Sequence, residues 1–392
     1  MPPCGRSGKR LPATGQGRRF DAMGILVTGA KGFIGKNLVA ELKNRGYTDI
    51  FEYDIDTGPA LLDDYCRSCE FVFHLAGVNR PKDPSEYMSG NFGFTSDLLA
   101  TLEKHENRCP VVLASSTQAA LDNPYGQSKR AGEQAVFEYG RRTGAQVLVY
   151  RFSNVFGKWC RPNYNSAVAT FCHNIARDLP ITVHDRSIKL TLAYIDDVVD
   201  ELINALCGRP NRNDDGLCSV PVVHTATLGQ IADMLYAFKA SRADRAVPDM
   251  GDAFCSKLYA TYLSYLPTDG FSYPLAMHSD HRGSFTEILR TADRGQFSVN
   301  ISKPGVVKGN HWHRTKNEKF LVVSGRGAIR LRRVDDTEVF KYIVSGDSLE
   351  VVDIPPGYTH SIENLGESDM VTFMWASEPF DPQKPDTYFM EV

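Results

Sequence analysis

Short apolar runs alternate with helical patterns along the amino-terminal part of the chain. Ile25–Val27, Ile50–Tyr53, Phe71–Gly77 and Val111–Ala114 are apolar and bounded by turn residues, which is typical of buried strands. The stretches between them carry apolar residues at helical spacing, as in the stretch that ends near Asn44. Strands that alternate with helices predict a doubly wound parallel sheet, an α/β fold with helices on both faces.

The pattern changes between Tyr262 and Pro274, where helical periodicity gives way to Tyr, Ser, Pro and Gly. We therefore place a domain boundary near Asp269, so that residues 23–268 form the first domain and residues 269–392 the second. Short alternating runs in the second domain are separated by turns at Gly295, Gly305, Gly325, Gly346 and Gly357. This pattern predicts an all-β domain.

Residues 1–22 are rich in Arg and Gly and lack an apolar segment, so they do not fit a secretory signal. We interpret them as an added extension or an upstream start, with the protein proper beginning at Met23. The nine cysteines are odd in number and scattered, which indicates reduced thiols and a cytoplasmic location. Cys66 and Cys69 form a C-x-x-C, but no second pair stands at zinc-ribbon spacing, and chance is the preferred interpretation.

Charge and hydropathy exclude two classes of partner. A net charge of -3 gives no indication of nucleic-acid binding. No apolar run approaches the roughly 20 residues that a membrane-spanning helix needs. We therefore expect neither a nucleic-acid nor a membrane partner.

A glycine-rich turn joins the first strand to the first helix, and this context predicts a Rossmann-type dinucleotide site. Gly29 permits the tight turn, Gly32 lets the backbone approach a pyrophosphate, and Gly35 lets helix and strand pack. The third strand ends in small residues, and the second half of the cofactor would lie next to them. The predicted cofactor-binding residues of these two segments are Gly29, Lys31, Gly32, Phe33, Ile34, Gly35, Leu75, Ala76 and Gly77.

The second strand ends at Asp54, and this residue affects the choice between the two nicotinamide cofactors. A carboxylate there accepts the ribose hydroxyls and favours NAD, whereas the 2′-phosphate of NADP requires a cation. Lys31 is the nearest candidate cation in the glycine-rich turn. The residues alone leave both cofactors open.

Tyr125 and Lys129 lie one helical turn apart and share a face. A phenol can donate a proton to a carbonyl oxygen as hydride arrives, and a neighbouring ammonium lowers the pKa of the phenol. Ser116, at the end of the preceding strand, can hydrogen-bond the same oxygen. We predict these three residues to be catalytic, with Tyr125 and Lys129 also contacting the cofactor.

These motifs, T-G-x-x-G-x-x-G, H-L-A-G, S-S, Y-x-x-x-K and R-F-S-N-V-F-G in that order, resemble the extended short-chain dehydrogenase/reductase family. The resemblance implies a nucleotide-sugar substrate, with Asn154 in the last motif near it and with Arg161 and Arg186 as candidates to neutralise its diphosphate. One departure is that only a short loop separates Ser116 from Tyr125, whereas the family places the serine about two dozen residues before the tyrosine.

The stretch from Gly305 to Gly325 carries the candidate metal site. Alternate side chains of a strand share a face, so His311 and His313 can aim two imidazoles at one point. Glu318 lies within the reach of a hairpin, and His360 follows the turn Pro355–Gly357. Three imidazoles and a carboxylate suit zinc, iron, manganese or nickel. Four protein ligands fill a tetrahedral site, and this favours a structural ion over a catalytic one.

The spacing resembles both halves of the cupin motif, which implies a jelly-roll barrel. Arg282 and Glu287 stand in an R-G-x-F-x-E, and Lys308 precedes His311 where the 4-keto-6-deoxy-sugar 3,5-epimerases have R-G-x-H. In those enzymes the histidine is the base. His311 cannot be a metal ligand and a free base in the same state, because its basic nitrogen has one lone pair. Lys308 and Tyr358 are the alternative bases.

Met23 to Val392 as a whole resembles bifunctional capsular polysaccharide synthesis enzymes, in which a reductase is fused to a cupin. The resemblance implies epimerisation at carbon 3 of a UDP-2-acetamido-2,6-dideoxy-4-hexulose, followed by NADPH-dependent reduction at carbon 4. The product would be UDP-2-acetamido-2,6-dideoxy-L-talose, a precursor of UDP-N-acetyl-L-fucosamine. The resemblance also implies one divalent ion per chain, expected to be zinc, a substrate-binding role for Arg282, Glu287 and Lys308, and a homodimer.

Two alternatives stay open at the level of sequence. The cupin domain could be a binding or dimerising module with a structural metal, which would leave a single-activity reductase. The chain could also be a redox-sensing binder that holds NADP without turnover, although the intact Tyr125 and Lys129 count against a sensor. The R-G-x-F-x-E and K-G-x-H segments count against an inert cupin module.

Overall fold

The computed structural model describes residues 23–392, so the predicted extension at residues 1–22 lies outside the described residues. The chain divides into two compact units. The first contains the residues up to Thr170 together with Ser187–Leu228, and the second contains Phe171–Arg186 together with Gly229–Val392. These limits follow packing, and the domain boundary near Asp269 stays a prediction.

The first unit is built on a five-stranded parallel sheet with strand order β2-β1-β3-β4-β5. Its strands are β1 Ile25–Thr28, β2 Ile50–Tyr53, β3 Phe71–His74, β4 Val111–Ser116 and β5 Val147–Phe152. All four predicted strands are present, although the third ends at His74 and not at Gly77. Val27 points into a core with α1 (Phe33–Asn44), whereas Leu26 points to the opposite core. The predicted doubly wound sheet is confirmed.

The remaining helices cover this sheet or follow it in the chain. They are α2 Pro59–Ser68, α3 Ser85–Tyr87, α4 Phe94–Lys104, α5 Pro124–Thr143, α6 Ala167–Ile175, α7 Ile195–Leu206, α8 Leu228–Asp244 and α9 Ala253–Leu263. A π-helical turn, Met88–Gly93, joins α3 to α4. No helix among residues 23–392 is long and apolar enough to cross a membrane.

Local sequence fixes both ends of α5, the helix that carries the predicted tyrosine and lysine. The Asn123 side chain accepts a hydrogen bond from the backbone N–H of Gly126 at 2.8 Å, and Pro124 occupies the first helical position. Asparagine caps and amino-terminal prolines favour helix initiation. The helix ends at Thr143 and is capped by Gly144, which adopts a left-handed conformation with φ of 77°. The first turn of α5 therefore starts at a defined point next to the end of β4.

A small three-stranded sheet was not predicted. It contains β6 Asn154–Phe156, β7 Lys189–Tyr194 and β8 His224–Thr227. The strands β6 and β7 are parallel, and β8 is antiparallel to β7.

The β domain consists of two antiparallel sheets, which confirms the predicted all-β, cupin-type class. The six-stranded sheet has the order β16-β13-β18-β11-β10-β9, and the five-stranded sheet has the order β15-β14-β17-β12-β19. Their strands are β9 His278–Asp280, β10 Gly283–Thr291, β11 Gly295–Ser302, β12 Val307–Trp312, β13 Glu318–Ser324, β14 Arg326–Arg333, β15 Val339–Ser345, β16 Val351–Ile354, β17 Tyr358–Asn364, β18 Met370–Ala376 and β19 Tyr388–Phe389. Apolar residues of both sheets, including Phe320 and Ile329, form one core.

The strand β11 reverses the usual pattern, in which apolar side chains are buried and polar side chains are exposed. In β11 the buried side chains are polar, and they are Gln296, Ser298, Asn300 and Ser302. Buried polar groups need hydrogen-bond partners, and two such bonds join Gln296 to Ser298 and Asn300 to Ser302. The interior of the barrel is therefore polar on this side.

Candidate active sites

The glycine-rich turn of the first unit forms a close-packed cradle. Gly29 has a φ of 69°, and a Cβ atom there would lie 2.7 Å from the backbone nitrogen of Ala76. A Cβ atom on Gly35 would lie 2.1 Å from the carbonyl oxygen of Gly29. Only glycine fits at either position, so the turn brings the amino terminus of α1 against the end of β3. This arrangement fits the pyrophosphate of a dinucleotide.

Asp54 is engaged with the backbone of this turn. Its carboxylate accepts hydrogen bonds from the backbone N–H groups of Lys31 at 2.7 Å and Ile55 at 2.8 Å. The Lys31 side chain is exposed and pairs with Asp56. The Asp54 carboxylate, which would disfavour a 2′-phosphate, is thus bonded to the protein backbone, and the Lys31 ammonium is the cation near it.

The predicted catalytic residues of the reductase come together beside the third and fourth strands. The Lys129 ammonium lies 5.9 Å from the centre of the Tyr125 ring and donates a hydrogen bond to the Ala114 carbonyl at 3.2 Å. Burial raises the pKa of Tyr125, and the Ser116 hydroxyl opposes that rise. Burial lowers the pKa of Lys129 to about 8, although the nearby Glu133 carboxylate opposes the shift. The phenol is therefore a protonated donor at neutral pH.

Sequence reasoning missed one member of this group, Asn91, which is 4% exposed. Its side chain bonds to the backbone of Val78 and to the Ser128 hydroxyl. A Cβ atom on Gly77 would meet both the Asn91 side-chain oxygen and the Lys129 nitrogen at 2.8 Å. Asn91 lies on the π-helical turn, an interruption that sequence periodicity does not reveal and that often occurs at functional sites.

The three predicted substrate-binding residues, Asn154, Arg161 and Arg186, each contact other protein groups. The Asn154 amide donates to the Thr191 carbonyl at 3.2 Å. Arg161 is exposed and lies over the Tyr164 ring at 5.2 Å. Arg186 pairs with both carboxylate oxygens of Asp233 at 2.7 Å. None of these contacts identifies a ligand, and a substrate-binding role for the three residues stays a prediction.

The four predicted metal ligands form a single cluster. One ligand atom from each of His311, His313, Glu318 and His360 lies within 4.8 Å of the others. His311 and His360 are cross-strand partners on β12 and β17, with ring centres 4.5 Å apart. A β-bulge at Asn310, whose φ is 58°, sets the register that aligns them.

The unsatisfied atoms of this cluster fit a metal ion. His313 Nε2 and Glu318 Oε2 are buried 3.4 Å apart, yet neither has a hydrogen-bond partner among the described residues. Burial and the neighbouring imidazoles lower the pKa of His311 to about 4, so this ring is neutral and its lone pair is available. Neutral imidazoles and a carboxylate around one point would hold a divalent cation. The donor set does not choose zinc over the other candidate metals.

A cavity of about 670 Å³ opens beside the cluster within the β domain. His311, Glu318 and His360 line it together with Lys308 and Asn300. The Lys308 ammonium donates to the Asn300 side-chain oxygen at 2.7 Å and to the Ile301 carbonyl at 2.9 Å. Burial lowers the pKa of Lys308. The cavity thus combines three of the four candidate metal ligands with a partly buried amine.

The other candidates of this domain differ in their access to the cavity. Arg282 lines it and pairs with Asp280 at 2.7 Å. Glu287 and Tyr358 are not among the residues that line the cavity. Glu287 pairs instead with Arg290 and with Arg245. Asn300 was missed by sequence reasoning, although the regular polar alternation of β11 is a signal that could have identified it.

Comparisons with known protein families agree with this architecture. Residues 25–212 match the NAD dependent epimerase/dehydratase family, and residues 278–388 match the polysaccharide biosynthesis C-terminal domain. Fold and sites therefore define a nucleotide-binding dehydrogenase-type domain joined to a polysaccharide-biosynthesis β domain. The UDP-glucuronic acid 4-epimerase of Bacillus cereus superposes with a TM-score of 0.50 and 21% identity, covering 62% of this chain and 98% of that one, which shows the fold alone.

Two full-length relatives define the family more narrowly. The chain is 44% identical over 370 residues to the UDP-2-acetamido-2,6-beta-L-arabino-hexul-4-ose reductase of Pseudomonas aeruginosa, covering 94% of this chain and 99% of that protein. The crystal structure of the capsular polysaccharide assembling protein CapF from Staphylococcus aureus matches with a TM-score of 0.90 and 55% identity, covering 94% of this chain and 100% of that one. The chain belongs to the family of CapF and this reductase.

Proposed function

We propose that the chain acts twice on a UDP-2-acetamido-2,6-dideoxy-4-hexulose. The β domain inverts carbon 3, and the nucleotide-binding domain then reduces the ketone at carbon 4 with NADPH. The product is UDP-2-acetamido-2,6-dideoxy-L-talose, which serves capsular polysaccharide synthesis on the way to UDP-N-acetyl-L-fucosamine. One observation carries the proposal: the same chain contains two separate sites. The first is the Tyr125–Lys129 group, and the second is the cavity lined by His311, Glu318 and His360.

The reduction rests on the Tyr125 hydroxyl. When bound, a reduced nicotinamide cofactor supplies the hydride, and the glycine cradle at Gly29 and Gly35 would hold its pyrophosphate. Tyr125 donates its proton to the ketone oxygen, since burial keeps the phenol protonated at neutral pH. The neighbouring Lys129 ammonium stabilises the phenolate that is left.

The epimerisation uses the acidity of the proton at carbon 3, which the adjacent ketone increases. Inversion requires a base that takes the proton from one face of the sugar, stabilisation of the enolate, and return of a proton from solvent to the opposite face. A divalent ion held by His311, His313, Glu318 and His360 would supply positive charge for that enolate. His311 as a ligand cannot also be the base, and Lys308 is the base that we propose, because it lines the cavity and burial lowers its pKa.

NADPH is the proposed reductant, and NADH is the alternative. The Asp54 carboxylate faces backbone N–H groups, so it need not repel a 2′-phosphate. Lys31 is exposed beside it and can exchange its contact with Asp56 for a phosphate. Comparing kcat/KM for the two nicotinamides tests this choice, and a preference for NADH would contradict it.

Proton exchange in deuterated buffer tests the two-step proposal. The wild-type protein, given the 4-ketosugar without nicotinamide, should exchange the carbon-3 proton, as followed by NMR. Addition of NADPH should then convert the ketone to an alcohol. Reduction without any exchange at carbon 3 would contradict the epimerase half.

A second candidate is a single-activity reductase whose β domain holds a structural metal. The four protein donors of the cluster favour it, because they would fill a tetrahedral site and leave no position for substrate. The exchange experiment separates the two candidates. Exchange that survives in Tyr125→Phe and disappears in Lys308→Met supports the bifunctional enzyme.

We also propose a cytoplasmic homodimer. The eight cysteines among residues 23–392 are free thiols, which supports a reducing compartment. The edge strands β15 and β16 expose Phe340, Tyr342, Ile343 and Val351. Exposed apolar patches mark sites of protein–protein contact. Sedimentation equilibrium tests this, and a monomer mass at micromolar concentration would contradict it.

A further inference from the structure

We infer that the carboxy-terminal segment, residues 385–391, positions the metal-site residue His313, and that Asp386 is the residue through which it acts. The inference rests on the proposed function only in that His311, His313, Glu318 and His360 hold a metal ion. It concerns residues that lie far from the metal motif in sequence.

The side chain of Asp386 organises the loop that joins two of the metal-site residues. Its carboxylate accepts hydrogen bonds from the backbone N–H groups of Arg314, Thr315 and Lys316, each at 3.0 Å. The Thr315 hydroxyl adds a fourth bond at 3.1 Å. This loop runs from His313 to the start of β13 at Glu318, so one carboxylate holds the connection between them.

The backbone of Asp386 sets the tautomer of His313. The Asp386 carbonyl lies 2.5 Å from His313 Nδ1, and a carbonyl can only accept a hydrogen bond. Nδ1 therefore carries the proton, and the lone pair of the neutral ring is on Nε2. Among residues 23–392 that atom is buried without a hydrogen-bond partner, and it lies 3.4 Å from Glu318 Oε2 in the cluster of candidate metal ligands. Fixing a ligand imidazole through its second nitrogen orients the ring and increases its basicity toward a metal.

Asp386 can make both contacts because of its backbone conformation. Its φ of 39° lies in the left-handed region, where Asp and Asn are tolerated better than most residues. The carbonyl and the carboxylate thus reach the same loop from one residue. A substitution that keeps this φ but removes the carboxylate isolates the contribution of the side chain.

The rest of the segment follows the metal-bearing strands. Tyr388 pairs with Trp312 and stacks on its ring at 4.9 Å, and Phe389 pairs with His311. The Thr359 hydroxyl, next to His360, donates to the Met390 carbonyl. The segment is therefore fixed on β12 and β17, and Asp386 lies at the end of this anchored run.

Three variants of the full chain test the role of Asp386. Asp386→Gly tolerates the left-handed φ but removes the carboxylate, and Asp386→Asn keeps one acceptor oxygen. Asp381→Gly is the matched control, because Asp381 lies five residues before Asp386 and, among the described residues, bonds only to the backbone of Gln383 and Lys384. The apoproteins are titrated with zinc against a chromophoric chelator and, separately, with cobalt(II), whose visible absorption reports ligand geometry.

The Asp386→Gly variant should bind zinc about 10- to 100-fold more weakly and show an altered cobalt spectrum, the usual size of effects from groups that orient metal ligands. Asp386→Asn should recover part of the affinity, and the control should match the wild type. If Asp386→Gly loses its near-ultraviolet circular dichroism without metal, the Asn variant is assessed instead.

Two outcomes are decisive and differ in what they overturn. Wild-type affinity and an unchanged cobalt spectrum in a folded Asp386→Gly or Asp386→Asn protein would refute the role of Asp386 alone. Failure of the wild-type apoprotein to bind zinc or cobalt would overturn the metal site itself, and with it the metal-dependent part of the proposed function.

Discussion

Replacing Tyr125 by Phe separates the two proposed activities. The substitution removes one hydroxyl and keeps the ring, whose centre lies 5.6 Å from that of Tyr87, so the packing of α5 should persist. Loss of a general acid costs about 10²- to 10⁴-fold in rate. At 1.36 kcal/mol for each factor of ten, this raises the barrier to reduction by about 3 to 5 kcal/mol. Exchange of the carbon-3 proton should continue, because the cavity of the β domain contains no part of α5.

The assay follows NADPH absorbance for reduction and NMR in deuterated buffer for exchange, on the same protein preparation. Tyr236→Phe is the matched control, since it removes the same hydroxyl from an exposed position on α8. The control should retain both activities. Reduction by Tyr125→Phe at the wild-type rate would refute the assignment of the proton donor, and loss of both activities together would refute the separation of the sites.

Further predictions concern charge, cofactor and stability. Since Lys129 is protonated only below its pKa of about 8, kcat/KM for reduction should fall as the pH rises through about 8; a level profile across this range would contradict its role. Lys31→Ala should lower kcat/KM with NADPH by about tenfold and leave NADH nearly unaffected, because one charged hydrogen bond to a phosphate is lost. Burial lowers the pKa of His74 to about 3, so only the unfolded chain gains its proton as the pH falls below about 6.5. The free energy of unfolding should therefore fall by up to about 1.4 kcal/mol per pH unit in that window. When it is measured by denaturant titration at several pH values, this free energy should fall less steeply with decreasing pH in His74→Gln than in the wild type. Chelation should lower the melting temperature of the β domain, because an ion held by four protein ligands contributes to folding; an unchanged melting temperature would contradict that contribution.

The features that sequence predicted well depend on local spacing. The turn from Gly29 to Gly35 follows a strand and opens a helix, and this short-range context alone defines a dinucleotide cradle. The alternation of a strand likewise places His311 and His313 on one face, and their ring centres lie 4.9 Å apart. In both cases the geometry is set by a few neighbouring residues.

The features that were missed depend on long-range packing or on an inverted pattern. Asp386 reaches the backbone of Arg314 across 72 positions of the chain, and nothing near either residue signals the contact. The strand β11 buries its polar side chains. The rule that apolar side chains face inward would therefore assign the wrong face of this strand to the interior. That inversion places Asn300 in the cavity, where it holds Lys308. Interior polarity of this kind indicates a binding cavity rather than a simple core.

The isotopic pattern of the product shows whether one chain epimerises carbon 3 before it reduces carbon 4. The wild-type protein converts the 4-ketosugar in deuterated buffer with excess ordinary NADPH, and the purified UDP-sugar is analysed by proton NMR and mass spectrometry. We expect deuterium on carbon 3, where the proton is exchanged during inversion, and protium on carbon 4, where hydride arrives from the cofactor. A reduced product that keeps its original hydrogen and configuration at carbon 3 would contradict this expectation.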